Sequence, residues 1–228
     1  MTIVFSIFMI SLTVLVYLVM SRIYSQVSFP LFLPILTSTI IIIVILHFLH
    51  LSYANYMLGG RWINHLLGPA IVALAYPLYN EWSLIKKYRV PILSGVLFST
   101  ILALFGIWAT AQAFGIKKTI ILSLLPKSVT SPVAIDLSKE IGGFPALTVT
   151  FVMIAGVGGA LLGPYLFRLL RINHQLSKGI GYGSAAHAIG TTKALEEHQI
   201  TGAISSIAMI LSAILTAILL PIFFSFIK

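Results

Sequence analysis

Residues 125–140 read LPKSVTSPVAIDLSKE. The stretch lies between long apolar runs, yet it carries Lys127, Ser128, Thr130, Ser131, Asp136, Lys139 and Glu140, with prolines at 126 and 132. Non-helical backbone at membrane depth must be buried in protein or line a wet cavity. The stretch is therefore expected to be a broken helix inside a membrane. The N–H groups that open its second half, just after Pro132, would then form an anion site. Pro-Lys-Ser is also ordinary turn chemistry, so a polar loop outside the bilayer is the competing reading.

The surrounding composition sets the scale of that choice. The chain has 228 residues, 59% hydrophobic and 8% charged, with a mean hydropathy of +1.06. Soluble domains carry about 25% charged residues. Several apolar runs reach the roughly 20 residues that cross a hydrocarbon core of about 30 Å. The runs are continuous rather than alternating, which argues against a β-barrel. The expected fold is all-α: one polytopic transmembrane domain over 1–228, with discontinuous or re-entrant helices and inverted pseudo-repeats. Its expected parts are N-terminal spans and an interfacial segment over 1–65, a first repeat unit over 66–126, and a second unit with the last span over 127–228.

The absence of cysteine excludes disulfides and thiol chemistry. The net charge of +9, from 14 Lys and Arg against 5 Asp and Glu, reads as basic loops held on the cytoplasmic side rather than as nucleic-acid binding. The first apolar run has no basic leader and no clear cleavage site, and is expected to be retained.

In chain order, spans are expected at 2–21 and 31–50, with a turn between Arg22 and Pro30. LSYANYMLGGRWINH (51–65) suits the headgroup level, where Trp and Tyr collect. A short helix opening at Gly68-Pro69 leads into EWSLIKKYR, a basic loop with Lys86, Lys87 and Arg89. Long spans start at Pro91 and Pro145. Gly156, Gly159 and Gly163 share one face of the latter, a surface for close helix packing. Arg168, Arg171 and Lys178 form a second basic loop, then the Gly-rich polar segment 179–202 precedes a last span over 203–227. Pro69 and Pro132 each open a short helix that charges and a proline-started span follow. Placing both basic loops on one side makes these two units inverted, a pattern of secondary transporters. Lys117 and Lys118 then fall outside, against the charge rule.

A small carboxylate fits the polar residues. Lys127, Ser128, Thr130 and Ser131 surround the expected helix start, Asn80 and Tyr76 are candidate donors from the other unit, and Ser184, His187 and Thr191 come from the Gly-rich segment. Asp136 and His187 are candidates for proton coupling, because ionisable groups in spans are costly. A dipole-complementing carboxylate and a structural histidine are the competing readings. Lys193, Glu196 and Glu197 read as a solvated helix end. No catalytic pattern stands out: GYGSA is not G-x-S-x-G, and no metal motif or dinucleotide unit occurs. No cofactor and no metal are expected.

Three segments, YMLGGRWINHLLGPAIVALAYPLY, LLPKSVTSPVAIDLSKEIGG and KGIGYGSAAHAIGTTKALE, together resemble the LrgB/CidB family, closest to its CidB-like branch, over about residues 50–220. The resemblance implies a bacterial plasma-membrane protein described as holin-like or antiholin-like, acting on murein hydrolase export and lysis. It also implies transport of small monocarboxylates such as pyruvate, glycolate or glycerate, with a small LrgA/CidA-type membrane partner. The family's polar motifs fall here on Lys127, Ser128, Thr130, His187, Gly190, Thr191 and Lys193. A transporter or facilitator that self-associates is the expectation, a holin-like pore or lysis modulator the alternative. Binding a partner membrane protein through the Gly156 face is a third reading.

Overall fold

A computed structural model describes residues 2–27, 32, 34–66, 69, 72–73 and 75–227. No strand occurs among them. Four helices are long and apolar enough to cross a membrane, at residues 3–27, 89–113, 145–169 and 199–226. The chain forms two compact units, residues 1–72 and 73–228.

The first unit contains α1 (Thr2–Val27), α2 (Pro34–Phe48) and α3 (Tyr53–His65). The helix α1 runs through the segment expected to turn after Arg22. Nothing between Ser21 and Val27 breaks a helix, and Ser25 bonds back to the Arg22 carbonyl at 2.7 Å. The expected second span, 31–50, is a helix of 15 residues, about 22 Å long and shorter than a hydrocarbon core. The segment expected at the headgroups packs along α1. Ser6 Oγ donates to Leu58 O at 3.0 Å and Tyr56 meets Thr13 at 3.2 Å, while Gly59 lies against Ser6 and Met9, where a Cβ would not fit.

The second unit contains α4 (Ala75–Asn80), α5 (Trp82–Lys87), α6 (Arg89–Ala113), α7 (Lys118–Leu124), α8 (Ser131–Glu140), α9 (Pro145–Leu169), α10 (Gln175–Glu197) and α11 (Gln199–Ile227). The expected helix start at Gly68-Pro69 includes Gly68, which lies outside the described residues. The basic segment after Asn80 is itself helical, with Lys86 and Lys87 in its last turn, where the helix dipole favours cations.

Two pieces of this unit double back on themselves. Residues 118–140 form a first hairpin: the Phe144 N–H donates to Ser123 Oγ at 2.7 Å, and Ile121, Leu122, Leu137 and Ile141 share one apolar cluster. Residues 175–197 form a second. Their helix is interrupted at His187, whose φ is 43° and ψ −134°. Tyr182 donates a hydrogen bond to Glu197, and Lys178 pairs with Glu197 at 3.5 Å. In an unbroken helix those residues would be about 22 and 28 Å apart, so the chain reverses at His187.

The long helices fix the ends. The first half of α6, at Ile92 and Val96, packs with Ile207 and Ala208 of α11 and with Leu176 and Ile180 of the second hairpin. Its second half, at Leu104, Ile107 and Ala111, packs with the first hairpin and Leu220. Both basic segments, 82–89 and 168–178, therefore lie at one end of this unit. The hairpins start from opposite ends, because α9 runs between them.

Helix packing in lipid rests on close van der Waals fit rather than on expelling water. The glycines of α9 supply that fit. A Cβ on Gly156, Gly159 or Gly163 would collide with His187, Ala186 or Tyr182 respectively. On the other face of the second hairpin, Gly179 and Gly183 lie against Thr201, Ile204 and Ser205 of α11.

Candidate functional site

The two hairpin tips meet. The helix α7 ends because Pro126 has no N–H to continue it. A 3-10 turn over Leu125–Ser128 follows, then Val129 and Thr130 run extended before α8 begins. Thr130 is the residue that should cap α8 with its hydroxyl. It makes no such bond, and the second residue of the helix is Pro132, which has no N–H to offer. The Thr130 Oγ is buried without a hydrogen-bond partner, in a residue only 9% exposed. Leaving such a hydroxyl unpaired costs about 1–3 kcal/mol. The opening of α8 also presents first-turn N–H groups that no helix can satisfy internally.

At the other tip, His187 is 3% exposed. Its Nε2 donates to the Val152 carbonyl of α9 at 2.9 Å, which fixes the ring. The Thr191 hydroxyl donates to the His187 carbonyl at 2.9 Å and meets Ser205 Oγ at 2.8 Å. The break is thus held from α9 and α11 together. Backbone at this φ is strained for a residue with a Cβ, by about 1–3 kcal/mol.

The half-buried Lys127 precedes Ser128 on the first tip, and Val129 packs with Val152 and Ala213. Ser128 and Val129 from the first tip and Ser184 from the second line one cavity with Thr100 and Leu104 of α6 and Ser212 and Thr216 of α11. Its volume is about 10 Å³, room for about one water. Ser184 and Thr100 already donate to carbonyls in their own helices, at 2.7 and 2.8 Å, so they turn lone pairs to the cavity. Among the described residues, Ser212 and Thr216, 2% and 4% exposed, make no hydrogen bond. The place of this cavity along the long helices matters. Thr100 stands about 17 Å along a helix about 37 Å long, and Ser212 and Thr216 straddle the middle of α11.

Of the residues expected from sequence, Ser128 and Ser184 line this cavity, Lys127 and Thr130 flank Ser128 on the first tip, and His187 and Thr191 lie at the second, with the half-buried Ser131 opening α8. Asn80 and Tyr76 are exposed on α4. Asp136 is exposed and pairs with Lys139 at 3.5 Å, on the part of α8 away from the break. Lys193 pairs with Glu196 at 2.9 Å, and Glu197, itself exposed, reaches back to Tyr182 and Lys178. Sequence reading passed over Thr100, Ser212 and Thr216. A signal for the last two existed: hydroxyls at 201, 205, 212 and 216 recur on one helical face, and all four are buried.

Four membrane-length apolar helices, three of them in the second unit with the two hairpins packed among them, define a multi-pass α-helical membrane protein. The chain belongs to the LrgB-like family, whose model matches residues 13–226. It is 48% identical over 217 residues, 95% of this chain and 94% of the other, to a Bacillus subtilis protein named "Uncharacterized protein YxaC". It is 41% identical to "Holin-like protein CidB" of Staphylococcus epidermidis, over 95% of both chains. The same name is carried by a Staphylococcus aureus relative, 41% identical over 94% of this chain and 93% of the other. No solved structure matches the chain. It is a multi-pass bacterial membrane protein of holin-like or transporter type.

Proposed function

We propose that the protein moves small monocarboxylates such as pyruvate, glycolate or glycerate across the membrane, binding the anion where the hairpin tips meet. The observation that carries this reading is the Thr130 hydroxyl, buried without a partner at the start of α8, with the half-buried Lys127 three residues before it. A carboxylate there would accept from Thr130 and from the first-turn N–H groups of α8, and would balance the Lys127 charge. The hydroxyls of Ser128, Ser212 and Thr216 suit the keto or hydroxy oxygen of the same molecule, whose entry requires this one-water cavity to widen as the tips move apart. The mid-helix positions of Thr100, Ser212 and Thr216 support a site deep in the bilayer.

We read the inverted units as a long helix followed by its hairpin, residues 89–140 and 145–197. This replaces the pairing of a short helix with the span after it. The hairpins start from opposite ends, the arrangement in which rocking one unit against the other exposes a central site alternately. His187 is the titratable candidate for coupling.

Liposomes holding the purified protein test the reading. Saturable uptake of labelled pyruvate or glycolate should fall at least tenfold in Thr130→Val. The CidB relatives' holin-like names favour a second reading, a pore. Leakage of a neutral dye at the same rate in wild type and Thr130→Val would establish the pore and sink the carrier.

A further inference from the structure

A second polar cavity, of about 410 Å³, lies at the base of the second hairpin, lined by Arg168, Ile172, Asn173, Lys178 and Glu197 with Pro164. It lies at the base of that hairpin rather than at either tip, at the end of the unit that carries the two basic segments. Its chemistry is specific. The Glu197 carboxylate takes the Tyr182 hydroxyl and the Lys178 ammonium, the latter at 3.5 Å. Arg168 lines the same cavity and, among the described residues, its guanidinium has no partner. The cavity lining therefore carries two cations and one carboxylate, one positive charge in excess, with the buried Tyr182 hydroxyl bonded to that carboxylate from outside the lining.

We propose that this cavity is a second, end-specific binding site for a small carboxylate, in which the Glu197 side chain occupies the place an incoming carboxylate takes. The proposal rests on the carrier reading for its choice of ligand. Arg168 receives the ligand with its planar fork, which matches a carboxylate in two parallel bonds. Lys178 then exchanges Glu197 for the ligand. No bond other than hydrogen bonds and ion pairs changes. Because Glu197 and Lys178 join the two legs of the hairpin at its base, the exchange also loosens the hairpin whose tip holds His187. The volume accommodates a two- or three-carbon acid with water to spare, and the excess charge draws anions towards this end.

Equilibrium dialysis of labelled glycolate against the purified full chain tests this, with Thr130→Val, Arg168→Gln and Glu197→Gln. Wild type should bind label in two classes of site. Arg168→Gln should weaken one class about tenfold, Thr130→Val should remove the other, and Glu197→Gln should tighten the first several-fold by releasing Lys178. Opposite effects of the Arg168 and Glu197 changes cannot come from loosened structure alone. In liposomes, Arg168→Gln should raise KM only when glycolate is presented from the basic end. Binding lost in Thr130→Val but untouched by Arg168→Gln and Glu197→Gln overturns this proposal and leaves the central site standing. Binding lost in Arg168→Gln but untouched by Thr130→Val does the reverse. No bound label in wild type overturns both. Displacement by inorganic phosphate as efficient as by unlabelled glycolate also overturns it, since a carboxylate site prefers the planar anion.

Discussion

The two hairpins share a shape and differ in everything that makes it. The first breaks through its prolines, over six residues, and leaves a threonine hydroxyl unsatisfied at its tip. The second breaks at one histidine held at positive φ, and three hydrogen bonds fix that tip: Nε2 to Val152, Thr191 to the His187 carbonyl, and Thr191 with Ser205. Their bases differ in the opposite sense. The first base is tied by neutral hydroxyl bonds, Ser123 to the Phe144 N–H and Thr148 to Ser138, both 2.7 Å. The second is tied by charge. One hairpin is rigid at its base with an open tip, the other rigid at its tip with an exchangeable base. On the proposed carrier reading, which needs a place that binds and a place that gives, the two would fall on different hairpins.

The largest effect should come from filling the close approach that holds the second hairpin to α11. A Cβ on Gly183 would run into the Ser205 backbone carbonyl and Ala208, and backbone inside a packed helix pair cannot step aside. Gly183→Leu should abolish the folded monomer in detergent, read by size-exclusion chromatography. Gly158, whose Cβ position is open, is the control, and Gly158→Ala should elute as wild type.

Next comes the open tip. Thr130→Val removes a hydroxyl that has no partner, and no cap bond is lost with it. The usual loss of about 1 kcal/mol for removing a cap does not apply, and relief of an unpaired buried hydroxyl adds about 1 kcal/mol or more. The variant should melt higher than wild type while losing uptake. A lower melting temperature would mean that Thr130 is structural, and the contrast between the tips would disappear.

The satisfied tip gives the converse. His187→Ala loses the bond to Val152 and keeps the strained backbone, whereas His187→Gly loses the same bond and relieves the strain. Glycine should therefore be the more stable replacement by about 1 kcal/mol, measured by thermal unfolding in detergent. Alanine melting at or above glycine would show that this φ is not imposed by the surrounding helices.

These contrasts mark what could be read in the chain beforehand. The long apolar runs at 89–113, 145–169 and 199–227 were legible because a span needs length and hydrophobicity and little else. The first break was legible because proline stops a helix through its own covalent structure. The second was not legible as a break point. SAAHAIG contains no proline there, and the histidine at positive φ is held by Val152 and the glycines of α9, distant in sequence, as well as by the nearby Thr191. Glu197 read as a solvated helix end because its partners lie 15 and 19 residues back, neighbours only once the chain has reversed. The turn expected after Arg22 failed for a simpler reason: polar residues do not end a helix when none of them breaks it.

The smallest effect separates the two bases by salt. Ser123→Ala removes one neutral hydrogen bond, worth about 1 kcal/mol, and its cost should not depend on ionic strength. Lys178→Met removes a half-buried ion pair at the other base and leaves Glu197 on Tyr182, a loss of about 1 kcal/mol or less. The Debye length falls from about 8 Å at physiological salt to about 3 Å at 1 M. The stability gap between wild type and Lys178→Met should therefore narrow as salt rises, while the gap for Ser123→Ala holds. Should both gaps hold constant across that range, the second base would be as fixed as the first. The exchange of Glu197 for an incoming carboxylate would then have no weak link through which to act.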